Sequence, residues 1–159
     1  MDIHQAVHED ALRLSSLSMD VQRLHAEHHP DVFRMPQSEN YAISFFEEIL
    51  VDPTVRIFIA EEGGDALGYI LCRLVERPEN TFTFAARFLL IDQISVRPIA
   101  HGQGIGMALM QQAELLAEEW QVQRIHLDSW DFNSAAHGFF EHLGFHKFHF
   151  RFWRQLEGK

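Results

Sequence analysis

The 159 residues contain a single cysteine, Cys72, so an internal disulfide framework is excluded and a reducing compartment is expected. Cys72 lies in the run Gly68-Tyr69-Ile70-Leu71-Cys72, where a buried structural thiol fits better than a nucleophile. No uninterrupted apolar run exceeds four residues, and Met1-Asp2-Ile3-His4 lacks the basic and apolar regions of a secretion signal. Neither export nor membrane spanning is expected, and the cytoplasm is the expected location. Basic side chains are scarce, 13 against 23 acidic, for a formal net charge of −10. Such a surface repels phosphate backbones, which argues against a nucleic-acid partner, and it suits cationic partners, amines included. Linkers, low-complexity tracts and internal repeats are also missing. One domain spanning 1–159 is expected.

What is present is a core former's composition: 47% apolar residues, with fourteen Phe and three Trp. The pattern predicts a short strand at Ile3–Val7, then a helix from Glu9 to about His28, with Leu12, Leu14, Leu17, Val21 and Leu24 at mostly helical spacing and Pro30 beyond. A second helix is expected over Ser38–Val51. The period then changes: Val55–Glu61 and Ala66–Glu76 read as strands joined by a Gly63-Gly64-Asp65 turn. The aromatic and branched stretch Phe82–Val96 predicts a third strand, stopped by Pro98. A helix over Gly104–Trp120, a strand over Val122–Ser129, a short helix over Ser134–Leu143 and a final strand over Phe145–Leu156 complete the order. This is a mixed α/β (α+β) arrangement around one mostly antiparallel sheet.

The most specific local feature is Val96-Arg97-Pro98-Ile99-Ala100-His101-Gly102-Gln103-Gly104-Ile105-Gly106. A strand ends and a helix begins across glycines, which turn tightly and leave N–H groups uncovered where the helix dipole is positive. That arrangement binds phosphate. A dinucleotide-binding fingerprint is rejected, because Met107 occupies its third glycine position and a hairpin precedes the loop.

These residues resemble the GNAT acetyltransferase family, whose loop pattern is Arg/Gln-x-x-Gly-x-Gly/Ala; here it is His101-Gly102-Gln103-Gly104-Ile105-Gly106. A second family block is similar to Asn133-Ser134-Ala135-Ala136-His137-Gly138-Phe139-Phe140-Glu141-His142-Leu143-Gly144-Phe145. The resemblance implies the GNAT fold, with the strand ending at Val96 splayed from the strand at 122–129. It also implies acetyl-CoA as cosubstrate and a primary amine as acceptor. The amides of residues 101 to 106 would hold the pyrophosphate, and Ile94, Ser95 and Val96 would line the pantetheine arm. An N–H near Ile94 would polarise the thioester carbonyl. Asn133, Ala136 and Phe140 would complete the coenzyme contacts. Two positions depart from the family: His101 replaces the usual Arg or Gln, and Phe140 replaces the Tyr that protonates the leaving thiolate. The second departure leaves a weakly catalytic acyl-CoA-binding sensor or interaction module as the alternative to an enzyme.

A lysine-like amine has a pKa of about 10.4, so deprotonation at neutral pH calls for a general base. Asp92 interrupts an apolar run and alternates onto the face of Ile94 and Val96, where burial would raise its pKa, so it is the expected base. Pairing with an arginine such as Arg87 is the competing role. Gln93 points to the opposite face and reads as structural. His137, one turn before Phe140, is the candidate acid in place of the missing tyrosine. By resemblance, Arg34, Tyr41, Phe45 and Trp130 are candidate acceptor contacts. His25, His28 and His29 cluster near a helix end but lack accompanying ligands at metal spacing, so no metal is expected. The tail Phe148-His149-Phe150-Arg151-Phe152-Trp153 alternates as a half-buried strand does, fit for a core or for a homodimer interface.

Overall fold

The computed structural model describes residues 1–158. The chain forms two compact units, Met1–Asp128 and Ser129–Lys159. The first carries β1 (Asp2–Gln5), α1 (Ala11–His28), α2 (Ile43–Leu50), β2 (Val55–Glu62), β3 (Asp65–Arg77), β4 (Ala86–Val96), α3 (Ile105–Glu119) and β5 (Ile125–Leu127); the second carries α4 (Ser134–His142). The five strands form one sheet in the order β1-β2-β3-β4-β5. All neighbours are antiparallel except β4 and β5, which run parallel.

The β2–β3 hairpin turns through Gly63 and Gly64, both at positive φ (60° and 90°), the geometry a two-residue turn requires and glycine supplies without strain. Val55, Ile57, Ile59, Tyr69 and Leu71 turn to one face of the sheet, where they pack with Leu14 and Leu17 of α1 and Phe46 and Ile49 of α2. Alternate residues Ile70 and Cys72, both fully buried, turn to the other face, where α3 crosses β2, β3 and β4 and buries Ile105, Leu109, Met110, Ala113 and Leu116. Cys72 is thus a core thiol, its pKa pushed up to about 12 by burial. α1 starts where the Asp10 carboxylate accepts the Val7 N–H at 2.9 Å; Arg13 then clamps Asp10 and, across the sheet, Glu61.

Several expected boundaries move, each for a local reason. The second helix begins at Ile43 rather than Ser38, because Ser38 Oγ takes the Asn40 N–H and Ser15 Oγ the Ala42 N–H, drawing the backbone into turns. The third strand begins at Ala86 rather than Phe82: Asn80 Oδ1 accepts the N–H groups of Phe82 and Thr83 at 2.7 and 2.9 Å, closing a side-chain turn. β5 shrinks to Ile125–Leu127. The expected strand over Phe145–Leu156 is absent: among the described residues that stretch belongs to no helix or strand, and 146–158 are exposed.

Candidate functional site

β4 organises the site. From Ala86 to Ile91 it is in regular register with β3, ending with Ile91 opposite Cys72; the next pair is Gln93 opposite Leu71, so Asp92 is an extra residue, a β-bulge. Pairing with β5 stops at the same place: Leu89, Leu90 and Ile91 face Ile125, His126 and Leu127, and among the described residues no strand pairs with Asp92–Val96 on that side. The strands therefore part at the bulge, as expected, and β4 is left with an open edge. On its other side β4 is held close: a Cβ on Gly68 would stand 2.7 Å from the Ser95 carbonyl, so glycine is required there.

The open edge leads into the glycine bend. Arg97 fixes its start, donating from its backbone N–H to the Leu67 carbonyl at 2.8 Å, from Nε to the Ala66 carbonyl at 3.1 Å and from Nη2 to Ser16 Oγ at 3.0 Å. A short 3₁₀ turn over Pro98–Ala100 follows, and Gly102 and Gly104 take φ of 77° and 79°. Gly104 is the N-cap of α3, and among the described residues no side chain caps that helix. The His101 amide, expected among the donors of the bend, instead donates to the Pro98 carbonyl. Among the described residues, however, no hydrogen bond takes up the amides of Gly102, Gln103, Gly104, Ile105 or Gly106. Five successive donors at a helix N-terminus are an arrangement that can take up an anion. The His101 ring folds back, with Nε2 2.8 Å from the Val96 carbonyl, which ties the bend to the strand end.

Around the bulge, on the face of α1 and α2, lies a polar cluster. Asp92 is 37% exposed in its side chain and pairs with Arg73, whose Nη2 donates to Oδ2 at 3.3 Å; Arg73 also faces Asp52 at 3.7 Å. The expectation of a buried Asp92 on the face of Ile94 and Val96 is thus corrected. The bulge shifts the alternation by one residue and puts Asp92 beside Arg73, which shares the face of Leu71. The arginine is Arg73 rather than Arg87, which binds Glu76. Gln93 is opposite Ile94 as expected and accepts the Tyr69 hydroxyl at 2.6 Å. Burial, with Tyr41 and Asp92 adding to it, drives the Tyr69 pKa far up, so this phenol stays a donor. Tyr41 shares a 2.6 Å hydrogen bond with Ser18, and its own pKa is raised by burial. Phe45 is half exposed, edge-on to Phe46, and Arg34 is exposed.

In the second unit, Asn133 caps α4, its Oδ1 accepting the Ala136 N–H at 3.4 Å. Phe140 is buried, its ring against Phe139 and Phe145. His137 is half-buried one turn earlier, and Trp130 is partly exposed. Among the described residues no group of His, Cys, Asp or Glu is placed to hold a metal ion.

A family model described as Acetyltransferase (GNAT) family matches residues 19–145. The chain belongs to the GNAT acetyltransferase family. No curated protein matches the chain significantly. Among solved structures, the tetramutant of the BH1408 protein from Bacillus halodurans is similar, with TM-score 0.90 and 23% identity over 98% of this chain and 100% of that one. Aminoglycoside N-acetyltransferase AAC(6′)-Iy in complex with CoA matches with TM-score 0.75 and 16% identity over 98% and 94%. The apo aminoglycoside 6′-N-acetyltransferase AAC(6′)-IG from Acinetobacter haemolyticus matches with TM-score 0.73 and 16% identity over all of both chains. At these identities the likeness is one of fold, and the GNAT fold is the fold expected. Reading the sequence found the bend and the bulge residue; it missed Arg73 and Tyr69, which lie in an apolar strand whose partners are set by register rather than by local pattern.

Proposed function

We propose that this GNAT protein transfers the acetyl group of acetyl-CoA to a primary amine of a small molecule or peptide. The observation that carries the reading is the run of unengaged amides from Gly102 to Gly106, at the end of a strand whose outer edge opens at the Asp92 bulge. A pyrophosphate fits those donors, and a pantetheine arm fits the open edge at Ile94, Ser95 and Val96 as an added strand fits any unpaired edge. The resemblance implies further coenzyme contacts for Asn133, Ala136 and Phe140; His137, one helical turn before Phe140, is the proposed donor of the proton to the departing thiolate in place of the missing tyrosine. His101, its Nε2 turned to Val96, supports the bend more than it supports the phosphate.

On the acceptor side, Asp92 is the one carboxylate in the open stretch 92–96 and serves as base, directly or through water. Tyr41, Phe45, Arg34 and Trp130 are the proposed acceptor contacts. An amine panel assayed with acetyl-CoA for free thiol tests the proposal: acetylation of at least one amine, with stoichiometric thiol release, is expected. Phe140 favours a second reading, an acyl-CoA-binding module without turnover, because phenylalanine has no proton to give. Calorimetric binding of acetyl-CoA without thiol release across the panel would select that reading; no binding would end both. His137→Ala is expected to slow turnover and leave acetyl-CoA affinity unchanged, and equal turnover would remove His137 from the reaction.

A further inference from the structure

Arg73 stands between two carboxylates and is held closely by neither. Its Nη2 donates to Asp92 Oδ2 at 3.3 Å, and its Nη1 is 3.7 Å from Asp52 Oδ2. A close guanidinium–carboxylate bond runs to about 2.7–2.9 Å. All three side chains are partly open, 30% exposed for Arg73, 37% for Asp92 and 38% for Asp52, so a solute can reach both ion pairs. Partly exposed pairs of this kind are weak, and a dissolved cation can compete with them.

The two carboxylates differ in what else holds them. Asp52 Oδ1 accepts the Thr54 N–H at 2.8 Å and the Thr54 hydroxyl at 2.7 Å, which leaves Oδ2 for Arg73. The Thr54 hydroxyl first, then its amide, and more weakly Arg73, lower the Asp52 pKa, so this group is an anion at neutral pH. Asp92 has no such anchor. Among the described residues its side-chain hydrogen bond comes from Arg73, and the neighbouring Tyr69 hydroxyl goes to Gln93 instead.

Two carboxylates and one guanidinium sum to −1, and one further cation completes the set. An alkylamine, with a pKa of about 10.4, arrives at neutral pH as the ammonium ion. We propose that Arg73 is a displaceable counter-ion: the acceptor ammonium takes its place on Asp92, and Asp52 retains the released guanidinium. Resting on the reading of Asp92 as base, this makes Arg73 and Asp52 positioning residues that set the affinity for the amine. After the exchange each carboxylate has its own cation, and Asp92 touches the nitrogen whose proton it takes.

Benzylamine, putrescine and lysine methyl ester are assayed with acetyl-CoA for free thiol. In Arg73→Gln the acceptor KM is expected to fall about two- to fivefold, since no guanidinium competes for Asp92. In Asp52→Asn it is expected to rise by about as much, since Arg73 is then left to Asp92 alone. Asparagine keeps an oxygen for Thr54, and thermal melts of both variants check folding. The double variant R73Q/D52N separates exchange from a general field. With no guanidinium to retain, position 52 should be silent, and the double variant should have the KM of Arg73→Gln. A KM that rises in both single variants, moves in neither, or is additive in the double overturns the proposal. If none of the three amines is acetylated, the transfer reading is what fails, and the exchange is followed directly. The ¹⁵N–¹H guanidinium signal of Arg73, assigned by its loss in Arg73→Gln, is recorded as benzylamine is added. It should move toward its position in Asp92→Asn, and a signal that stays in place overturns the exchange.

Discussion

Asp92 is a carboxylate whose partner is chosen by a single extra residue. Were β4 regular, Asp92 would stand on the face of Ile94; the bulge instead delivers it to Arg73. Asp92 is partly exposed and paired with Arg73, so its proposed use as base depends on the amine arriving within reach and on Arg73 remaining with Asp52. Asp92→Asn is expected to remove the acidic limb of the pH–rate profile and lower kcat/KM by about 10²–10⁴-fold. A profile that keeps its limb clears Asp92. Gly104 makes a comparable case for the coenzyme. At φ 79° a valine is strained by roughly 1–2 kcal/mol, and the bend relaxes by turning its amides away from a common point. Gly104→Val should therefore raise the acetyl-CoA Kd about tenfold or more by calorimetry, and a wild-type Kd would take the bend out of the site. Both residues were legible in the sequence, one as a charge in an apolar run, the other as a glycine opening a helix. The direction in which Asp92 points was not, because a bulge is a property of two strands and not of one.

Helices and paired strands followed the sequence closely where local pattern and tertiary cover agree, as in α1, α3 and the β2–β3 hairpin. They departed where side chains compete for the backbone, as Asn80 and Ser38 do, and over Phe145–Leu156, which belongs to no helix or strand among the described residues. Element contacts also set stability. Gly68→Ala, near the start of β3, would drive a methyl group into the Ser95 carbonyl of β4, an overpacking that costs about 1–3 kcal/mol. A thermal melt should drop by several degrees, and an unchanged melt would mean the two strands separate freely there. At the β4–β5 contact, His126 stacks on Phe88 with centroids 4.0 Å apart, and Arg77 lies over the same ring. Burial first, then Arg124 and Arg77, lower the His126 pKa against an opposing pull from Asp128. The folded value is thus below the unfolded value of about 6.5. The neutral ring contributes stability that is present above the unfolded value and lost as pH falls through the folded one. His126→Phe, which keeps an aromatic ring on Phe88, should make the fall in melting temperature between neutrality and about pH 5 shallower. An equally steep fall would place that titration in other groups.

At the scale of the whole molecule, the charge that would favour the proposed amine would oppose the proposed coenzyme. A chain of net −10 would repel a ligand carrying a pyrophosphate and a phosphate monoester, and the amides of the bend would attract it only at short range. The two effects separate by distance, and salt distinguishes them. Raising ionic strength from about 0.01 to 0.15 M shortens the Debye length from about 30 to 8 Å, which screens the approach and leaves contacts at the bend nearly intact. The association rate of acetyl-CoA, followed by stopped flow, is therefore expected to rise a few-fold over that range, with the dissociation rate almost constant. A ligand steered by a basic surface behaves in the opposite way. If association slows as salt is added, the field at the mouth of the site is positive despite the acidic body. Arg97 and Arg73, the two guanidinium groups at the bend and the bulge, would then be the charges to remove first.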